Sequence, residues 1–422
     1  MRHRGKASDH RKPVIVGWDY ISPLGTDQTR QWQRFCSGES GVGPLTRWPL
    51  RERFPVHIAG QVPPFDESPF PFLAPRLMAH WSSPVFKHGM LVAYRALADA
   101  GIEVTPELAP RTAITFSTAI GGLDAILAAE RGLAVGGKMP HPFANPNSCV
   151  NMVGGKISIL TGATGPIVTP VAACASGSSS LMFGAMLLAS GDADVAICGA
   201  VDFPVIEPVV GGFGTMNGAY KFKAGIDEPP QTASRPFSVN RRGFVVAEGA
   251  ACIILTSKEF AEAHGLHARM ELAGWSSTAD AHHFVAPNST TVERCMRQAI
   301  ARAGIAPEDI DAVNAHAAST KVGDQIEAER LAAVFASGIP PVTANKSQIG
   351  HCMGASSAVE SVLAMESMLH STQLPTLNHC RDPELPELPI VSQASTLEQE
   401  FVLKNAFGFG GCNICLVFHR MD

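Results

Sequence analysis

Three side chains in this sequence have the type and the setting for acyl chemistry. Cys174 lies in Pro166-Ile-Val-Thr-Pro-Val-Ala-Ala-Cys174-Ala-Ser-Gly-Ser-Ser-Ser-Leu181. A short β-branched run precedes it and the apolar stretch Leu181 to Ala189 follows. The pattern predicts a buried strand, a turn of small residues and a buried helix. A thiol at a helix start faces unpaired N–H groups and the positive end of the dipole, which favour the thiolate. Those N–H groups can also hold the oxygen of a tetrahedral intermediate. A buried structural cysteine is the competing reading of this stretch alone. His316 and His351 weigh against it. His316 ends the apolar run before Ala317-Ala-Ser-Thr320, and a helix begins near Asp324. His351 sits in the Gly-punctuated loop Lys346-Ser-Gln-Ile-Gly-His351-Cys-Met-Gly354, ahead of a small-residue helix. One histidine in such a loop is usually structural. Two, each at a strand end beside a helix start and matching the placement of Cys174, form a less accidental pattern.

The elements that must position these groups alternate between strand and helix. Strands are expected at 14–18, 111–116, 195–198, 268–273, 310–314 and 341–344, and near the C-terminus at 401–404 and 413–419. Helices are expected at 31–37, 87–100, 150–160, 290–304, 324–335 and 355–369. Gly243 to Leu255 reads as two strands of a hairpin-like edge, Gly41 to Pro75 as a surface excursion and Pro140 to Ser148 as a loop. Gly199 to Gly218 has the small and apolar content of a buried segment beside a site. Such alternation argues for an α/β fold with a largely parallel core. Both halves place a small-residue helix after a strand bearing a functional candidate. That fits an internal duplication, 13–260 carrying the cysteine and 261–422 the two histidines, with the site at the seam.

The chain has 422 residues, 45% of them apolar and 17% charged, which suits two fused halves and a buried subunit interface. A net charge of −5 does not suggest nucleic acid as a partner. The basic residues Arg2, Arg4, Lys6, Arg11 and Lys12 precede no apolar segment, so they read as a short disordered arm and not a secretory signal. No uninterrupted apolar run reaches the length a membrane span needs. Ten scattered cysteines suggest free thiols in a reducing, cytoplasmic compartment. Cys412 and Cys415 form a C-x-x-C without a second pair, so alternate burial in a strand explains them better than a metal site.

The sequence resembles the β-ketoacyl synthases, condensing enzymes of the thiolase superfamily (ketosynthases I and II), from about Pro13 to Phe418. The motifs that carry the resemblance are Cys174 in its small-residue turn, His316 in its loop, Lys346 with His351, and Phe407-Gly-Phe409-Gly-Gly411-Cys-Asn413 before the last strand. The resemblance implies a five-layered αβαβα fold from two duplicated halves, and a dimer, homodimeric or heterodimeric. It implies an acyltransferase that performs decarboxylative Claisen condensation with malonyl and acyl thioesters. Phosphopantetheine arrives on an acyl carrier protein, with no further cofactor and no metal. Cys174 would hold the acyl chain as a thioester. Neutral His316 and His351 would donate N–H to the enolate formed as CO₂ leaves. Backbone N–H groups of Cys174 and Phe409 would form the oxyanion hole. Lys346 and Glu360 would be a supporting ion pair, Thr320 would bind pantetheine, and Phe407 and Phe409 would gate the acyl channel. A phosphate-cradle reading of the Gly-rich loop fails, because a strand and not a helix follows it.

Departures from the family pattern spare this set and fall on the expected carrier-arm channel. Ala317-Ala318 replaces a Gly-Thr pair, Val285 stands where Thr is common, and Asn217 stands in a segment that often holds Arg. Ser238 and Arg242 stand where acids are usual. These changes suggest polyketide or other specialised-metabolite biosynthesis over housekeeping fatty-acid synthesis. The alternatives are a non-elongating acyltransferase, a non-catalytic partner subunit of a ketosynthase heterodimer, a thiolase using Cys412, and a Cys-His-Asp hydrolase. Retention of Cys174, His316 and His351 argues against the partner subunit.

Overall fold

The structure is a computed structural model that describes residues 11–221 and 228–421. Arg2, Arg4 and Lys6 of the expected basic arm lie outside the described residues. The elements fall into two runs of the same grammar. The first is β1 (Pro13–Ile21), α1 (Pro84–Ala100), β2 (Thr112–Ser117), α2 (Met152–Thr161), β3 (Ile167–Val168), α3 (Ser176–Ser190), β4 (Val195–Asp202) and β5 (Gly249–Ser257). The second is β6 (Met270–Ala279), α4 (Ser289–Ala303), β7 (Ala312–Asn314), α5 (Lys321–Val334), β8 (Val342–Thr343), α6 (Ser356–Leu369), β9 (Phe401–Gly408) and β10 (Cys412–Arg420).

All ten strands hydrogen-bond in the order β8-β7-β9-β10-β6-β1-β5-β4-β2-β3. Outward from the centre, one half reads 1-5-4-2-3 and the other 6-10-9-7-8, the same permutation. The senses match too: the two inner pairings of each half are antiparallel and the two outer ones parallel. Only Val14↔Glu271 and Ile15↔Met270 join the halves through β1 and β6. Helices α3 and α6 pack on each other between the half-sheets, α1 and α2 cover the outer face of one half, and α4 and α5 that of the other. The result is the five-layered αβαβα arrangement.

Small residues explain the middle layer. A Cβ on Gly177 would meet the Ala358 backbone nitrogen at 2.4 Å, so α3 and α6 touch nearly backbone to backbone there. Ser178 N–H donates to Ser357 Oγ across the same contact at 3.0 Å. Leu181, Leu188, Val359, Val362 and Leu363 fill the remainder, each fully buried. Each such side chain contributes roughly 1.5–3 kcal/mol by leaving water.

Several expectations need correction. Gly243 to Leu255 is not an edge hairpin. Gly249–Ser257 is one strand, buried throughout and paired on both sides, which is why it reads as an unbroken apolar run. Residues 243–248 instead bridge to the site loops at Ala219↔Phe244 and Val246↔His351. The excursion from Gly41 is partly core, since Val42–Pro44 pairs with Ile58–Gly60 and buries Val42, Leu45, Val56 and Ile58. Ala144–Ser148 forms a short helix inside the expected loop. The serines from Ser176 are helical, not turn, and Ala173–Ser190 has the length and hydropathy of a membrane span. Two-thirds of that stretch is buried inside the fold, which is the setting of a core helix.

Candidate active site

Each half presents its chemistry at an elbow between a strand and a central helix. Ala173–Ala175 is a single 3-10 turn ahead of α3, and Met353–Ala355 is its counterpart ahead of α6. The first residue of each turn, Ala173 and Met353, has φ of +48°, a left-handed conformation costly for a residue with a Cβ. Cys174 is the second residue of the first elbow. Gly354 holds that position in the second, and His351 stands just before the turn.

The elbows bring the expected groups together. Cys174 Sγ lies 3.1 Å from His351 Nε2, and Ser356 Oγ contacts His351 Nδ1 at 2.8 Å. A Ser356 hydroxyl that donates to Nδ1 leaves the ring proton on Nε2, facing the sulfur. The His316 ring lies 5.7 Å from that of His351 and 5.7 Å from that of Phe407, edge to face with both. Phe244 closes the other side of His351 at 5.4 Å.

Burial pushes the Cys174 thiol up to about 11, against the opposing pull of the Lys346 ammonium and of the N–H groups of Phe409 and Cys174. The thiol is therefore held above its ordinary value and not below it as expected from its place at a helix start, because desolvation outweighs every group that favours the thiolate. Those two N–H groups, the ones expected as oxyanion donors, both act on the sulfur. Burial first, then Lys346, holds both imidazoles well below the usual histidine range. Both are therefore neutral near pH 7, each with one N–H to donate.

Lys346 and Glu360 do pair, at 2.6 Å and almost fully buried. Lys346 Nζ also donates to the His316 carbonyl at 2.6 Å. The sequence reading missed two carboxylates and a lysine. Glu327 accepts the backbone N–H of His316 at 2.9 Å and of Ala317 at 2.7 Å. Asp202 accepts from Thr118 Oγ1 at 2.6 Å and Gly354 N–H at 2.7 Å, tying the second elbow to the end of β4. Burial pushes Asp202 up to about 6. Lys404 binds the second oxygen of Glu360 at 2.7 Å. A Lys-Asn pair inside the apolar run 401–407 was the available signal for it.

A cavity of about 820 Å³ opens on Cys174, His316 and His351. Thr320, Phe407 and Phe409 line it as expected, and so do the departures Asn217, Arg242, Val285 and Ala318. The Thr320 hydroxyl contacts Asp324 Oδ1 at 3.3 Å, at the start of α5. Arg242 stacks on Tyr220 and hydrogen-bonds its hydroxyl. Among the described residues, no group of three or more His, Cys, Asp or Glu is arranged to hold a metal ion. Cys412 is half-buried at the start of β10 and Cys415 buried within it; residues 413–418 are buried without a break, so the expected alternation is absent, and all ten cysteines are free.

The chain is similar to known proteins over nearly its whole length. The family profile "Beta-ketoacyl synthase, N-terminal domain" matches residues 11–261, and the corresponding C-terminal domain profile matches 269–380. The 3-oxoacyl-[acyl-carrier-protein] synthase 2 of Coxiella burnetii is 33% identical over 98% of this chain and 99% of its own length. A β-ketoacyl synthase from Burkholderia phymatum superimposes with a TM-score of 0.89 at 28% identity, covering 97% of this chain and all of that one. The ishigamide ketosynthase/chain length factor matches with a TM-score of 0.88, also at 28% identity, over 98% of this chain and all of that one.

Proposed function

The chain belongs to the β-ketoacyl synthase family, and from that premise we propose that it extends an acyl chain held on Cys174 by decarboxylative Claisen condensation with a malonyl group on an acyl carrier protein. The observation that carries the reading is the 3.1 Å contact of Cys174 with His351, beside His316 and the Phe409 N–H in one cavity.

Cys174 attacks an acyl thioester of a pantetheine arm. Its proton passes to the departing pantetheine sulfur, and the acyl group becomes a thioester of Cys174. A malonyl thioester then enters the cavity. Its carboxylate leaves as CO₂, and the electrons of the broken C–C bond move onto the thioester oxygen. The N–H groups of neutral His316 and His351 stabilise that oxygen as charge develops. The resulting carbanion attacks the acyl carbonyl, whose oxygen is held by the N–H groups of Cys174 and Phe409. That attack forms the new C–C bond; collapse of the tetrahedral intermediate then breaks the C–S bond and expels the Cys174 sulfur, which regains a proton from water. Lys346 and Glu360 support the histidines, while Thr320, Phe407 and Phe409 line the path of the arm and the chain.

Substitution of hydroxyl-bearing positions by Val285 and Ala318 on the cavity wall supports a specialised pathway, polyketide rather than fatty-acid synthesis. The same apolar wall favours a second reading, an acyltransferase that loads Cys174 and passes the acyl group on without decarboxylation. The units 13–260 and 261–422 are proposed as duplicated halves. A homodimer is proposed from the free edge of β3 and the exposed Ile159, Ile167, Val171 and Met186 around it. Free thiols throughout fit a reducing, cytoplasmic setting.

Intact-protein mass spectrometry tests the reading. An acyl adduct on Cys174 should form, then disappear on addition of malonyl-carrier protein as CO₂ and a β-ketoacyl carrier appear. An adduct that transfers without CO₂ release favours the acyltransferase. An absence of adducts with acyl chains of any length refutes both.

A further inference from the structure

Strand β9 carries Lys404 and Asn405 through the core with no exposed surface on either. Lys404 Nζ donates to Glu360 Oε2 at 2.7 Å and to the Asn405 carbonyl at 2.6 Å. Glu360 turns its other oxygen to Lys346 at 2.6 Å, and Lys346 donates to the His316 carbonyl at 2.6 Å. From the other side, the His316 N–H donates to Glu327 Oε1 at 2.9 Å, and Asn405 Nδ2 donates to the same oxygen at 3.0 Å. The contacts close a ring that runs His316, Lys346, Glu360, Lys404, Asn405, Glu327 and back to His316. Apart from His316, no member is more than 1% exposed.

The ring contains two ammoniums and two carboxylates. Without Lys404 it opens at β9 and leaves one buried negative charge in excess. A buried charge without a partner is far more costly than a paired one. Lys404 also lies on the strand that ends at Gly408, immediately before Phe409, whose N–H faces the Cys174 sulfur.

We propose that Lys404 is a positioning residue for the condensation: its ammonium pins the strand leading to Phe409 onto the helix of Glu360 and balances the charge around His316 and His351. The inference rests on the condensation reading above. The charged and titratable groups around the two imidazoles are Cys174 on the first elbow, Asp202 at the end of β4 and Glu327 on α5. Lys346 before His351, Glu360 on α6 and Lys404 complete the set. Lys404 adds to burial and to Lys346 in holding both rings neutral. Its removal makes the imidazolium easier to form, so the histidine titration moves up and the acid limb of the rate profile moves to higher pH.

The test uses the full chain and measures CO₂ release from malonyl-carrier protein between pH 5 and 8. Lys404→Met should lower kcat about tenfold or more with little change in KM, and raise the acid limb by about half a pH unit or more. Lys404→Met combined with Glu360→Gln restores neutrality and should return the acid limb to its wild-type position. A Lys404→Met protein that melts lower but keeps the wild-type kcat and acid limb overturns the proposal. If that variant does not fold, the double variant decides: an acid limb displaced from wild type overturns the proposal, and one in place supports it. If the wild type releases no CO₂ with any malonyl carrier, the condensation reading fails. The pH dependence of Cys174 alkylation by iodoacetamide, which reports the neighbouring His351 without a carrier, then judges Lys404 by the same shift.

Discussion

Gly408 sits where the Phe409 loop passes closest to the nucleophile elbow, and replacing it with alanine tests the oxyanion hole directly. A Cβ built there stands 2.4 Å from the Ala172 carbonyl oxygen and 3.3 Å from the Cys174 nitrogen. Ordinary contact begins at 3.4 Å, so the strand end must retreat by about 1 Å. Both obstructing atoms are backbone, in a turn already strained at Ala173, so β9 is the part that yields. An oxyanion donor acts within about 2.7–3.1 Å, and a retreat of that size takes the Phe409 N–H out of range. Loss of one such donor costs about 10²–10³ in kcat, or about 2.7–4 kcal/mol. The assay is steady-state condensation beside a thermal melt. Gly410→Ala is the comparison. Its Cβ meets nothing within 4 Å, and its φ of +84° makes the penalty one of backbone strain alone. Gly408→Ala should lose turnover far out of proportion to its change in melting temperature. A Gly408→Ala enzyme with kcat within about threefold of wild type would refute the assignment of Phe409.

Lys346→Met leaves Glu360 with one partner and removes a donor to the His316 carbonyl; it should cost about 3–5 kcal/mol in urea unfolding. Because burial raises the Cys174 thiol to about 11, less thiolate is present at pH 7 than in an exposed cysteine. Its alkylation rate, followed by mass spectrometry, should keep rising from pH 7 to 10 without a plateau. Ile159→Lys with Ile167→Lys places charges beside the free edge of β3 and should yield a monomer in light scattering, if that edge is the dimer contact.

The candidate set of Cys174, His316 and His351 was readable in the sequence because its members occupy strand ends, where a change from apolar run to small residues marks the spot. The repeat of one strand–helix order was readable for the same reason, and the sheet shows it as one strand permutation occurring twice. What escaped were groups whose meaning depends on distant partners. Lys404 looks like an exposed strand residue until Glu360, 44 positions away, is placed beside it. Glu327 and Asp202 look like surface acids until the N–H groups they accept are in view. The central place of β5 was missed because an apolar run states that a strand is buried without stating how many neighbours it has. The departures at Asn217, Arg242, Val285 and Ala318, scattered over a hundred residues, became one wall only when the chain was folded.

The paired elbows have a consequence for how such a protein can be improved. Ala173 and Met353 each hold a left-handed backbone that glycine would adopt without penalty, so glycine at either position relieves strain of about 1–3 kcal/mol. The relief has a cost, because the stiffness that makes those positions strained also aims Cys174 at His351 and keeps the neighbouring loop in register. Heat resistance and turnover therefore pull in opposite directions at these two sites. Selection for one alone would wear away the other.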